Sequence, residues 1–131
     1  MDKKDIILAG VGGQGILSIA TVIGWAALDQ NLHLKQAEVH GMSQRGGDVQ
    51  SNLRLSRERI WSDLIPKGGC DLILSLEPME ALRYLPWLAP DGWIVTNTTP
   101  FVNIPNYPEM DDIHKELASV GRVVSVDCDA I

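Results

Sequence analysis

The sequence predicts an α/β domain, a mostly parallel sheet with helices on both faces. Three observations carry that expectation. Short apolar runs recur at residues 6–9, 71–76 and 93–96, as strands buried on both faces require. Stretches with helical spacing alternate with them, at 16–28, 78–85 and 110–120. A glycine-rich turn separates the first run from the first helical stretch.

Each element has its local reason. Ile6, Ile7, Leu8 and Ala9 form the first strand, closed by glycines. In the helix that follows, Ile16, Ala20, Ile23 and Ala27 share one stripe, while Leu17, Val22 and Trp25 lie elsewhere. That helix is apolar nearly all round, so it is expected to be covered on two sides, by the sheet and by a partner. Residues 34–39 read as a second strand, lying beside the first, and 40–48 as a polar, glycine-rich loop. Residues 49–55 alternate, with Val49, Ser51, Leu53 and Leu55 on one face, which predicts a half-exposed strand. No helix fits between these two strands, so they form a β excursion rather than a crossover unit. Pro78 suits the first turn of a helix, which continues to Pro86. An Asp91-Gly92 turn precedes the strand at 93–96, and Pro100, Pro105 and Pro108 mark an extended loop. Gly121 ends the helix at 110–120, and residues 123–126 make the last strand.

Composition narrows the function classes. The 131 residues suit one domain, and a 45% hydrophobic content supplies one core. Net charge is -6, and the sole basic cluster, Arg54, Arg57 and Arg59, is interrupted by Glu58, which argues against nucleic-acid binding. Cys70 and Cys128 belong to no Cys-x-x-Cys pair, so the chain has no zinc or iron–sulfur ligand set of its own. Two buried, reduced thiols are expected, which fits the cytoplasm. Residues 6–28 carry no charge, but five glycines among them favour strand, turn and helix over a membrane span.

The sharpest motif is Gly10-Val11-Gly12-Gly13-Gln14-Gly15, a match to the dinucleotide fingerprint G-x-G-x-x-G between a strand and a helix. Glycines permit close backbone approach, and a helix N-terminus attracts an anion. The motif does not identify that anion, and the same glycines also serve close strand–helix packing. A nicotinamide cofactor would add an acid about 20 residues on, at the end of the second strand. Glu38 is the nearest candidate and a weak match.

The second motif is the loop His40-Gly41-Met42-Ser43-Gln44-Arg45-Gly46-Gly47. It should follow the carboxyl end of the second strand, where open α/β sheets bind ligands. Arg45 is suited to a phosphate, a carboxylate or a partner's surface. His40 reads as a hydrogen-bonded structural histidine, His33 and His114 as surface positions, and Glu77 as a structural acid near a helix start. No catalytic set and no metal-ligand spacing is visible.

Taken together and in order, the two loops resemble the gamma-type domain of pyruvate and other 2-oxoacid:ferredoxin (flavodoxin) oxidoreductases. Gly10 to Gly15 is similar to that family's Gly-x-Gly-Gly-Gln-Gly opening, and Gln44, Arg45, Gly46 and Gly47 to its Gln-Arg-Gly-Gly loop. The run Glu38-Val39-His40-Gly41-Met42 looks most like the indolepyruvate-type beta subunit. Asp71-Leu72-Ile73, Leu76-Glu77-Pro78, Gly92 and Asn97 are also similar, so the resemblance spans nearly all of the chain. It implies a Rossmann-like three-layer domain over residues 1–131, truncated at its C-terminus. It also implies a subunit of an enzyme of anaerobic metabolism that converts a 2-oxoacid and coenzyme A to acyl-CoA and carbon dioxide. In such an enzyme ferredoxin accepts the electrons, and thiamine diphosphate and iron–sulfur clusters sit on a larger catalytic partner. The residues expected to face cofactor are Gly10, Gly12, Gly13, Gln14, Gly15, Ser43, Gln44, Arg45, Gly46 and Gly47; this chain is expected to carry no catalytic residue, metal or membrane contact.

Other classes compete. A NAD(P)-binding dehydrogenase domain needs a cofactor acid and a catalytic region. An adenylating enzyme of the ubiquitin-activating type shares the glycine turn, and Ser51-Asn52-Leu53 echoes one of its segments. A pure assembly subunit would bind no ligand.

Overall fold

The computed structural model describes residues 3–11, 15–40, 48–100 and 107–128. Among these, six strands form one sheet: β1 (Lys3–Val11), β2 (His33–His40), β3 (Asp48–Ser56), β4 (Cys70–Ser75), β5 (Leu88–Asn97) and β6 (Val123–Val126). The helices are α1 (Ile16–Asp29), α2 (Pro78–Arg83) and α3 (Met110–Val120), with a short 3-10 turn at Leu85–Trp87. Strand order is β2-β3-β1-β4-β5-β6. β1, β4, β5 and β6 pair in parallel, and β3 is antiparallel to both of its neighbours. Five strands therefore run one way and β3 alone runs against them, the mostly parallel sheet with a β excursion that the sequence predicts.

The excursion corrects two expectations. β3 is inserted between β1 and β2, so those two strands are not neighbours. β3 is also an interior strand rather than a half-exposed one. Ser51 and Leu53 are fully buried, and Asn52 nearly so, because strands flank β3 on both edges and α1 covers one face.

The two faces carry separate cores. Ile7 and Ala9 of β1 join Ile73, Ile94, Met79, Ile113 and Leu117 beneath α2 and α3. Leu8 faces the other way, with Val49 and Leu53 against Ile16 and Ala20 of α1. This is the pleat of a strand feeding both layers. α1 is covered on one side, with Ile16, Ala20, Gly24 and Ala27 buried, whereas its outer side is open among the described residues. Trp93 and Val124 lie on the α1 face farther along the sheet and are roughly half exposed.

At the edge where β1 begins, Asp5 is fully buried and ion-paired. Arg54 Nε donates to its Oδ1 at 3.0 Å, Lys3 Nζ approaches its Oδ2 at 2.5 Å, and its amide donates to Asp71 Oδ2 at 2.8 Å. Arg54 also donates to the carbonyls of Ser62 and Leu64, pinning the β3–β4 connection. One member of the basic cluster is thus structural.

Two further expectations are corrected. Cys70 is buried, and burial pushes its thiol up to about 11, but Cys128 is exposed because it follows the last strand. Asp91 and Gly92 lie within β5 rather than in a turn before it, at a register irregularity opposite Cys70–Leu72. Gly92 is needed there by close approach. A Cβ would stand 2.6 Å from Leu88 Cδ1 and 2.8 Å from the Cys70 carbonyl oxygen. The backbone oxygen has nowhere to go, so Gly92→Ala should destabilise the fold by about 1–3 kcal/mol, read as a lower urea midpoint at unchanged slope.

Candidate functional site at the carboxyl edge of the sheet

Sheet register brings both sequence motifs to one edge. Val11 pairs with Asp48 and Gly10 with Val49, while Val49 also pairs with His40. The end of β1 and the start of β3 are therefore side by side, and the ends of β1 and β2 are related through β3, not through direct pairing with one another. Gly10 is buried in the strand. Gly15 caps α1 with φ 93° and ψ 21°, a left-handed conformation that favours glycine. Gly12, Gly13, Gln14, Ser43, Gln44, Arg45, Gly46 and Gly47 lie outside the described residues.

The same edge continues across the sheet. Leu76 N donates to the Ala9 carbonyl at 3.0 Å, so the end of β4 is tied to the end of β1. Asn97 Nδ2 donates to the Leu76 carbonyl at 3.1 Å, and its Oδ1 accepts from the amides of Thr99 and Cys128. One side chain thereby links the ends of β4, β5 and β6.

The starts of three helices lie at this edge, and their electrostatics differ. α2 is already capped: the buried Glu77 carboxylate accepts from Met79 N at 2.6 Å and Glu80 N at 3.0 Å. α3 carries Asp111 and Asp112 in its first turn. α1 has no acid in its first turn and no side-chain cap. A helix dipole not answered by a carboxylate favours an incoming anion, so α1 is the start suited to one.

Glu77 also accepts from Tyr107 Oη at 2.5 Å. This contact fastens the chain ahead of α3 to the α2 cap. Burial, and then the hydrogen bond to Glu77, hold the Tyr107 phenol well above the usual tyrosine range. The sequence marks Glu77 as a structural acid and Asn97 only through resemblance; nothing local marks Tyr107, whose partner is 30 residues away.

Sequence positions expected to be bland are so. His33 and His114 are exposed. Among the described residues, no group of three or more His, Cys, Asp or Glu side chains could hold a metal ion. No helix there is long and apolar enough to cross a membrane. Glu38 is exposed on β2, two strand spacings or about 9.6 Å from β1, because β3 intervenes. A ribose-binding acid belongs on the strand beside the glycine turn, so the dinucleotide reading fails on topology.

A sequence model described as pyruvate ferredoxin/flavodoxin oxidoreductase matches residues 5–131. The chain belongs to this family. It is 41% identical over 121 residues to indolepyruvate oxidoreductase subunit IorB of Thermococcus kodakarensis, covering 88% of this chain and 59% of that one. It is 40% identical over 136 aligned positions to IorB of Archaeoglobus fulgidus, covering 98% and 67%. The chain thus spans about three fifths to two thirds of the length of these relatives. The 2-oxoglutarate synthase subunit KorC of Methanocaldococcus jannaschii is 30% identical over 110 residues, 83% of this chain and 57% of that one. Pyruvate oxidoreductase subunit PORC of Thermotoga maritima shares the fold, with a TM-score of 0.68 over 97% of this chain and 63% of that one, at 18% identity. So does 2-oxoglutarate:ferredoxin oxidoreductase of Magnetococcus marinus, with a TM-score of 0.67 at 17% identity over 95% of this chain and 19% of that one. These matches support the oxidoreductase-subunit reading over the dehydrogenase one.

Tyr107→Phe should leave the fold intact and lower stability at neutral pH by about 1–2 kcal/mol. The sign at alkaline pH follows from the raised phenol. Its contribution is whole below about pH 10, the unfolded value, and declines as pH rises toward the folded one. Urea unfolding at several alkaline pH values should therefore show a shallower loss of stability for the variant than for the wild type.

Proposed function

We propose that this chain is the gamma-type part of a 2-oxoacid:ferredoxin oxidoreductase acting on indolepyruvate or a similar 2-oxoacid. The enzyme would convert the 2-oxoacid and coenzyme A to acyl-CoA and carbon dioxide, passing two electrons to ferredoxin. The observation that carries the reading is the 40–41% identity to IorB subunits over 88–98% of this chain.

The chain's own chemistry suits a supporting role. Cys70 is buried and Cys128 exposed, and no metal-binding group exists among the described residues, so an iron–sulfur cluster does not fit the part described. Thiamine diphosphate and the clusters are assigned to a larger catalytic subunit. The turn at Gly10–Gly15 and the loop at Ser43–Gly47 would form one polar rim facing it. The acid-free start of α1, which Gly15 caps, would lie on that rim and suits a phosphate of coenzyme A. The free thiols fit the reducing cytoplasm.

Anaerobic affinity purification from native cells should recover a larger partner with iron–sulfur absorbance and bound thiamine diphosphate. Recovery of the chain without such a partner overturns the proposal. In the assembled enzyme, Arg45→Ala should lower turnover or coenzyme A affinity by roughly 10- to 150-fold, the size of a lost charge-assisted contact. Unchanged kinetics would remove Arg45 from the rim.

A further inference from the structure

We infer that the connection between β3 and β4, with the adjoining start of β2, is a docking surface for an acidic segment of a partner protein. Residues 57–69 contain no helix or strand. A connection of that length without secondary structure of its own is uncommon in a compact domain and is usually functional. This one is held in place rather than loose. Arg54 donates to the carbonyls of Ser62 at 3.1 Å and Leu64 at 2.9 Å, and Ser62 Oγ accepts from the Leu64 amide at 3.2 Å. Ile65 is buried in the core beneath α2 and α3. What the connection holds outward is apolar. Trp61 is 82% exposed, the highest value for a large apolar side chain among the described residues, and Leu64 is 66% exposed. Backbone fixed before contact loses less freedom on binding, so its ordering opposes association less.

Charge selects the occupant. Arg59 stacks on the Trp61 ring, its guanidinium carbon 4.4 Å from the centroid. Tryptophan and arginine are the residue types that most often anchor protein interfaces. Two clefts share Arg59, Ile60 and Trp61. The smaller, of about 280 Å³, is completed by His33, Leu34 and Lys35 of β2, so its lining holds two cations and no acid. The larger, of about 580 Å³, adds Glu58 together with Lys3 and Arg54, whose charges the buried Asp5 answers. Lys35, Arg57 and Arg59 are exposed and form no ion pair among the described residues. In a chain of net charge -6, these are cations that its own acids leave unanswered. Carboxylates of a partner supply what they lack, and apolar side chains between those carboxylates would cover Trp61 and Ile60. Two clefts in a row fit an extended segment. A nucleic acid fits less well, because the exposed Glu58 and Asp63 oppose a phosphate backbone and Leu64 has no counterpart on one. This surface lies at the amino ends of β1, β2 and β4, away from the carboxyl edge, so the inference goes beyond the function proposed above and does not rest on it.

Fluorescence anisotropy of a dye-labelled twelve-residue peptide, glutamate throughout with leucine at every fourth position, titrated with the chain tests this. Saturable binding is expected, weakening as salt rises because the charges involved are exposed. Arg59→Glu should raise the dissociation constant about ten-fold or more, by setting like charges together. Trp61→Ala should raise it about thirty-fold, as loss of an anchoring aromatic does. Lys115→Ala, on α3, should leave it unchanged. All three positions are exposed, so circular dichroism and the urea midpoint should match the wild type. No saturable binding below about 1 mM overturns the inference. So does equal binding of the same peptide with lysine in place of glutamate, or a dissociation constant unmoved by both Arg59→Glu and Trp61→Ala. Tighter binding of a dye-labelled oligouridylate of twelve nucleotides overturns it in favour of nucleic acid. Recovery or loss of a larger catalytic partner in affinity purification moves none of these readings, so the two proposals fail separately.

Discussion

The nine-residue antiparallel pairing of β3 with β1 is the constraint on which the rest of the molecule depends. Without it, the excursion after α1 would have no fixed place. With it, β3 becomes an interior strand, β2 is displaced to the sheet's edge, and the end of β1 at Val11 is set beside the start of β3 at Asp48. The pairing also seats Leu53 under α1, and Arg54 beside the buried Asp5. A single run of hydrogen bonds therefore sets a core, an ion pair and the geometry of the candidate site. A one-residue slip would turn Leu53 away from α1 and remove the Arg54 guanidinium from a carboxylate that has no water to replace it.

The carboxyl edge is organised by what its helix starts already hold. The Glu77 carboxylate saturates α2 and, through Tyr107, anchors the chain that leads to α3. Asn97 performs the same office for the ends of β4, β5 and β6. These buried polar contacts make the edge a stiff platform, because each broken one leaves a polar atom without water. On that platform the start of α1 alone lacks an acid in its first turn. The electrostatic contrast along this edge is thus a difference between three helices rather than a property of one motif.

The two sides of the sheet are not covered alike. α1 lies over β1, β2 and β3, while α2 and α3 lie on the other face. On the face opposite α1, β2 and β3 present Lys35, Gln50, Asn52 and Arg54, whose polar groups tolerate water or pair with one another. On the α1 face, β5 and β6 present Trp93 and Val124. Exposed large apolar side chains thus fall on α1, along the same face of β5 and β6, and in the β3–β4 connection, where Trp61 and Leu64 stand out.

The sequence by itself determined the element types, the alternation of strands and helices, the glycine turn and the family. Those signals are local: apolar runs at 6–9 and 71–76, helical spacing in 16–28, and glycines where a tight turn requires them. It also determined that the outer face of α1 is apolar, since no charge interrupts it. Only the tertiary structure decided that β3 separates β1 from β2, that Gly92 sits inside a strand against the Cys70 carbonyl, and that Cys128 is exposed. It alone joined Tyr107 to Glu77 and Arg54 to Asp5. These are pairings between residues 30 and 49 positions apart. Side-chain alternation reports which face a residue takes, but not which strand lies beside it, and strand order is what places Glu38 too far from the glycine turn to hold a ribose.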